Sequence, residues 1–525
     1  MDFVFFTGFS CTGKTTISKL LEEREGYHFI STHIILSKIA REAGFKRSRE
    51  MYKSIGINKE MLLVTEYIIQ YLKENQFDKV VIDDIFDNNL LYSLYHTFQD
   101  NRKLLISFES NHEKRLERMA ERLGENSGAA QSELNLYDTV KNEAGIADVM
   151  PQTMYSIQVD VIPIEEVYQK VLKIIESESG DKKNFKSYLS NSAIQINACL
   201  KYFFDNWINS LSTISGKLNE LLSKFYYACE NGKRLRGFLV RLGYNLVKEE
   251  TNKTLLPAIS YEVFQTAILA HDDIIDRSAL RRGRPSLYMS LGGDHYGISQ
   301  AISLGDLGLF LSNKIILDSD FDTVSKNAAI SSLINTQYKT CIGEILDIEL
   351  PCRLNNILYE DILSIYEYKT AYYTIIGPLQ LGALLANGDE KLLSSIENFG
   401  KYLGIAFQIK DDILDIFGEK KYTGKATESD IEEGKITLLW YFANENADKN
   451  QKNILEQLYG KKNLQEHEIS SIKDAFHKTG AVEKCEAIMK EFTNKAKEQV
   501  NSMGITDENK NMLYALCDFL INRKK

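Results

Sequence analysis

Proline is scarce, six in 525 residues, and a chain with so few helix breakers has room for long helices. Cysteine is thin as well. Cys11, Cys199, Cys229, Cys341, Cys352, Cys485 and Cys517 are scattered and odd in number. They lack the paired spacing of thiolate metal sites, which fits a reducing compartment better than a disulfide framework. No run is apolar enough for long enough to cross a bilayer. The opening MDFVFFTGFS has no basic segment before its short apolar run, so no signal peptide is expected. The expectation is a soluble, cytoplasmic protein with no transmembrane segment. Positive charge is in deficit, 63 Lys and Arg against 73 Asp and Glu, for a net charge of −10. That disfavours a nucleic-acid partner, and any anionic ligand must find a local basic pocket. No repeat is visible at solenoid periods.

What is present is globular: 44% hydrophobic and 26% charged residues. The length suggests more than one domain. In residues 1–176, short β-rich runs (FVFFTG, YHFIS, KVVIDD, KLLISFES, YSIQV) alternate with amphipathic helical stretches. That alternation predicts an α/β domain with a parallel sheet. Residues 177–187 are polar and charged and read as a linker. From 188 to 525 helical periodicity dominates, predicting an all-α domain.

The first motif is GFSCTGKT, Gly8–Thr15, which follows an apolar strand-like run and precedes a helix. It fits G-x-x-x-x-G-K-[ST]. In such a loop the main chain of Gly8, Ser10, Cys11, Thr12, Gly13, Lys14, Thr15 and Thr16 would cradle phosphates at a helix start. Lys14 would reach the β/γ-phosphates of ATP, and the Thr15 hydroxyl would ligate Mg²⁺. Asp83 ends the KVVIDD strand, where a metal-facing carboxylate is expected, with Asp84 as the reserve. Arg115, Arg118 and Arg122 share one helical face. They would either close over phosphates or form a solvated stripe. This half resembles P-loop small-molecule kinases, especially the dephospho-CoA kinase and nucleoside monophosphate kinase group. It departs from them at Ile34, where an acidic residue is usual, with His33 beside it. Phe86 stands where an arginine is common. These departures put the acceptor in question and keep open a non-catalytic nucleotide-binding module.

The second constellation is acidic. Asp272 and Asp276 are a helical turn apart in HDDIID, with Asp273 beside them, and Asp411, Asp412 and Asp415 repeat the pattern in KDDILD. Both runs follow apolar helix, where unpaired carboxylates resist desolvation and call for cations. All-oxygen donors select Mg²⁺ or Mn²⁺. Basic residues accompany them: Lys233 and Arg236, Arg281 and Arg282, Lys369, Lys425 and Lys435. Two grips on phosphate are implied, one through metal and one direct.

In this order, the Lys-x-x-Arg of GKRLR, Gln265, DDIID with RRG, GEILD, KT and QIKDDILD make this half closely similar to trans-isoprenyl diphosphate synthases. The resemblance implies an isoprenoid synthase fold, a homodimer through the helical domain, and isopentenyl and allylic diphosphates as substrates. It implies that Asp272, Asp276 and Asp411, supported by Asp273, Asp412 and Asp415, hold Mg²⁺ on the allylic diphosphate. Arg281, Lys369 and Lys425 would brace that diphosphate, with Lys435 the second of the paired lysines. Lys233, Arg236, Gln265 and Arg282 would hold isopentenyl diphosphate. Thr370, Gln408 and Lys369 would face the allylic cation. Glu344 in GEILD departs from the more usual Gln, while Asp347 is retained. A class I terpene cyclase is the competing reading, disfavoured by the second DDxxD run and the Lys233/Arg236 pair. Ala267 and Ile268 lie five and four residues before Asp272 and are small enough to leave a tail pocket open down to Phe264. That predicts a product near geranylgeranyl diphosphate.

Overall fold

The computed structural model describes residues 2–124, 127–178, 184–230, 232–353, 357–418 and 429–523. It contains two compact units, Met1–Phe203 and Phe204–Lys525. The division falls inside the helix Phe185–Leu211. Ile194 and Ala198 of that helix belong to the core of the first unit. The stretch 177–187, read above as a linker, includes residues 179–183, which lie outside the described residues.

The first unit carries the expected five-stranded sheet, β1 (Asp2–Thr7), β2 (His28–Ser31), β3 (Lys79–Asp83), β4 (Arg102–Glu109) and β5 (Tyr155–Gln158). The order is β2-β3-β1-β4-β5 and every pairing is parallel. The two-residue period of a strand accounts for the near-continuous apolar runs. Phe3, Phe5, Val80, Ile82 and Leu105 enter the core on one face. Val4, Phe6, Val81, Leu104 and Ile106 enter the core on the other. With both faces covered, the carboxyl ends of β1 and β3 deliver the Gly8–Thr15 loop and Asp83 to one edge of the sheet. Three helices complete the site: α1 (Lys14–Glu25), α2 (His112–Leu123) and α3 (Ser127–Ala144).

The second unit is helical among the described residues, apart from a two-residue hairpin pairing Leu280–Arg281 with Arg284–Pro285. Four long helices carry its chemistry: α4 (Leu255–Ile275), α5 (His295–Leu317), α6 (Thr323–Glu349) and α7 (Glu390–Phe417). Between α6 and α7, Tyr366–Ile376 forms a π-helix. π-helical turns are rare and concentrate at functional sites. This one ends just before Gly377–Pro378, where proline cannot donate to the helix ladder. It holds Lys369 and Thr370. Its placement against α6 depends on Gly343, because a Cβ there would lie 2.1 Å from the Lys369 backbone nitrogen.

Gly343→Ala therefore forces α6 and the π-helix apart. It is expected to cost about 1–3 kcal/mol, read as a lower urea midpoint. An unchanged midpoint would refute this contact as a packing constraint.

Candidate active site

The helical unit encloses a cavity of about 470 Å³, lined among others by Asp272, Asp411, Asp415, Lys369 and Lys435. The two acidic runs, more than a hundred residues apart in sequence, thus face one space. The hairpin explains one cation. Arg282 (φ 54°) and Gly283 (φ 74°) are both left-handed, as a two-residue hairpin turn requires. The turn points Arg281 back at α4. Its Nη2 donates to Asp272 Oδ2 at 2.8 Å and its Nε to Asp273 Oδ1 at 2.8 Å. Arg281 thus pairs directly with the aspartates.

Lys369 has a wider reach. Its Nζ lies 2.7 Å from Asp347, 2.9 Å from Glu344 and 3.4 Å from Asp272. Burial alone would lower its pKa, but Asp347, Asp272 and Glu344 hold it above the usual lysine range. Burial raises the Glu344 carboxyl despite Lys369. Lys435 sits 3.0 Å from both Asp276 and Glu433. Asp276 itself does not line the cavity and meets it through Lys435. Arg523 donates to Asp411 and stacks 4.0 Å from the Phe407 ring.

Two middle aspartates turn inward. Asp273 is 3% exposed and is absent from the cavity lining. Asp412 is 4% exposed, accepts from Tyr366 Oη on one oxygen, and accepts from Gln408 Nε2 at 2.7 Å on the other. Burial pushes the Asp412 carboxyl up to about 7 despite those donors. The Leu438 N–H donates to the same Tyr366 oxygen at 3.0 Å. Asp412 thus ties the π-helix to α7 and to the chain after Lys435. Thr370 donates to Gln408 Oε1 at 2.6 Å, so the network fixes the orientation of the Gln408 amide.

A second basic group, Arg236 and Arg282, also lines the cavity. Arg236 stacks 4.2 Å from the Tyr373 ring, donates to Thr374 at 2.8 Å, and leaves its buried Nε without a partner. Burial, reinforced by Arg234, pulls Arg282 down to about 10. Gln265 lines the cavity too. Arg234 was missed in the sequence. It is 3% exposed and donates to the Cys229 carbonyl and to Glu262. Lys233 is exposed and absent from the lining. Lys425 lies outside the described residues. Ile268 lines the cavity. Ala267 does not: it is buried against α5, where a Cβ added at Gly308 would lie 2.9 Å from its own. Its packing partner, not its size, decides which way it faces.

In the first unit, Thr15 Oγ1 donates to Asp83 at 2.7 Å, joining the two expected metal ligands. Lys14 turns back onto its own loop, 2.9 Å from the Gly8 carbonyl and 2.7 Å from that of Phe9. The arginine row divides. Arg115 makes a bidentate pair with Asp138, with both bonds at 2.8 Å. Arg118 donates to the carbonyls of Cys11 and Val159. Arg122 is exposed and, among the described residues, makes no hydrogen bond or ion pair. Lys141, not anticipated from the sequence, is buried beside Asp84, and burial pulls it down to about 8.

Residues 219–476 match the Polyprenyl synthetase family profile, and residues 4–136 match an AAA domain. The geranylgeranyl pyrophosphate synthase of Geoglobus acetivorans is 32% identical over 302 residues, 57% of this chain and 89% of its own. The chain belongs to the polyprenyl synthetase family. A geranylgeranyl diphosphate synthase of Sulfolobus acidocaldarius is 28% identical, over 62% of this chain and 99% of its own. The crystal structure of a Corynebacterium glutamicum geranylgeranyl pyrophosphate synthase, complexed with isoprenyl diphosphate and magnesium, superposes with TM-score 0.60 at 28% identity. It covers 62% of this chain and 97% of that one. The AAA match gives the first unit a P-loop-type domain.

Within the polyprenyl synthetase unit, the donor chemistry suits a hard divalent ion. Asp272, Asp411 and Asp415 supply oxygen to one cavity, and the partners of Asp272 and Asp411 are cations. Among the described residues, no three His, Cys, Asp or Glu side chains yet converge as a ligand group. Arg281, Lys369 and Arg523 lie on those carboxylates instead.

Proposed function

We propose that the helical unit is a trans-isoprenyl diphosphate synthase that joins isopentenyl diphosphate to an allylic diphosphate. The observation that carries this reading is one cavity lined by Asp272 and Asp411 and also by Arg236 and Arg282. Two diphosphates need two grips, and a cyclase needs one. Arg281, Lys369 and Lys435 exchange carboxylate partners for diphosphate oxygens and stabilise negative charge as the C–O bond breaks. Asp272, Asp411 and Asp415, with Asp276 once Lys435 releases it and with Asp412 and Asp273 fixing their neighbours, would hold Mg²⁺, which would supply Lewis-acid stabilisation of that leaving group. Thr370, through its remaining lone pairs, and the ring of Tyr373 face the allylic cation. Arg236, Arg282 and Gln265 orient isopentenyl diphosphate, and the proton lost after attack goes to a diphosphate oxygen. Ile268, Leu269 and Leu309 form the dry wall for the tail, which keeps water from the cation.

The proposed product is near geranylgeranyl diphosphate. Phe264 is fully buried 6.4 Å from the ring of Tyr373 and does not itself line the cavity, so Tyr373 stands between it and the tail. The wild-type protein with isopentenyl diphosphate, a short allylic primer and Mg²⁺ should give this product by mass spectrometry, whereas a cyclase would leave isopentenyl diphosphate unused. Asp272→Asn should lower kcat about a hundredfold or more. Ile268→Phe should shorten the product, and an unchanged chain length would sink the wall assignment.

We also propose a homodimer. Phe310, Leu317, Ile334, Tyr338 and Ile345 leave large apolar side chains exposed along α5 and α6, with Phe310 at 74%, a face that suits a second copy. Light scattering should give twice the chain mass for the wild type and half of that for Phe310→Asp. A monomeric wild type would refute the dimer.

The first unit is proposed to bind ATP through Gly8–Thr16, with Thr15 and Asp83 toward Mg²⁺. Calorimetry with ATP should show binding that Lys14→Ala abolishes, and a wild type that binds no ATP would end the reading. Transfer of phosphate to an acceptor makes the unit a kinase. Binding without turnover makes it a non-catalytic module.

A further inference from the structure

Two lysines share one carboxylate in the P-loop site. Lys14 Nζ lies 3.1 Å from Asp84 Oδ1, and Lys141 Nζ is paired with the same oxygen. Both ammoniums also reach the Gly8 carbonyl, each at 2.9 Å. Lys14 is oversubscribed. It has three N–H donors but four acceptors within reach: the Gly8 and Phe9 carbonyls, Thr12 Oγ1 at 3.1 Å, and Asp84. Lys141 has two acceptors, and both are shared with Lys14. Asp84 is held at φ 64°, a left-handed conformation uncommon for a non-glycine residue and enriched at functional sites.

The charges decide what this arrangement can do. If Lys14 left Asp84 with nothing in its place, a largely enclosed carboxylate would lose its partner, which is strongly unfavourable. Lys141 removes that obstacle, since it already touches both groups that Lys14 would abandon. It also repels Lys14, so the pair carries one positive charge more than Asp84 can neutralise. We propose that Lys141 is a positioning residue of the nucleotide site. It keeps Asp84 and the Gly8 carbonyl satisfied, so that Lys14 is free to transfer to an incoming phosphate. This inference rests on the ATP-binding reading of the loop. Lys141 sits on α3, more than a hundred residues from the motif, and no part of the G-x-x-x-x-G-K-[ST] pattern points to it.

The test is ATP titration of the full chain by calorimetry. Lys141→Met should weaken ATP binding roughly tenfold or more, because Asp84 then holds Lys14 in place. Adding Asp84→Asn to Lys141→Met should restore binding to within about threefold of wild type, an effect that loss of a merely structural lysine would not produce. Asp84→Asn alone should bind at least as tightly as wild type, and it serves as the test if Lys141→Met fails to fold, which a thermal melt would reveal. Unchanged affinity in a folded Lys141→Met, no recovery in the double variant, or weaker binding in Asp84→Asn would each overturn the proposal. If the wild type itself binds no ATP, or Lys14→Ala binds as well as wild type, the nucleotide reading falls and this inference with it.

Discussion

Clustered carboxylates around a half-buried cavity repel one another, and in the helical unit a cation stands between them. Lys369 does most of this. It meets Asp272 from α4 and both Glu344 and Asp347 from α6. Arg281, Lys435 and Arg523 do the same for Asp273, Asp276 and Asp411. Among the groups just named, six carboxylates stand against four cations, so the site keeps a negative excess in the folded chain. A ligand carrying both anionic oxygens and divalent charge can enter by exchange of partners without adding net charge, which limits the desolvation cost of binding.

The P-loop site follows the same logic on a smaller scale. Lys14 and Lys141 rest on Asp84 and on main-chain carbonyls, while Thr15 rests on Asp83. In both units, the groups suited to phosphate or metal are held by partners of their own chain, and a ligand would take them by exchange of those partners.

Much of this was readable from sequence because it is local. The five strands, the phosphate loop and both aspartate runs declare themselves within a few residues through period, spacing and turn chemistry. The parts that were not readable depend on which neighbour a side chain meets. Helical spacing places Asp411, Asp412 and Asp415 near one another, but only the arrival of Tyr366 decides that Asp412 faces inward. Ala267 and Ile268 are adjacent, and only the close approach of α5 at Gly308 separates packed from lining. The arginine row on α2 is helical as expected, yet Asp138 on α3 claims Arg115. The π-helix has no period that a short window distinguishes from an ordinary helix, and Lys141 has no motif.

The close approach at Gly343 has a further consequence. The backbone at Lys369 is set by main chain against main chain, 2.1 Å being the clearance denied to any Cβ. Ile268, Leu269 and Leu309 wall the same cavity from α4 and α5. A change of size among those three alters the room for a hydrocarbon from elements that take no part in this close approach.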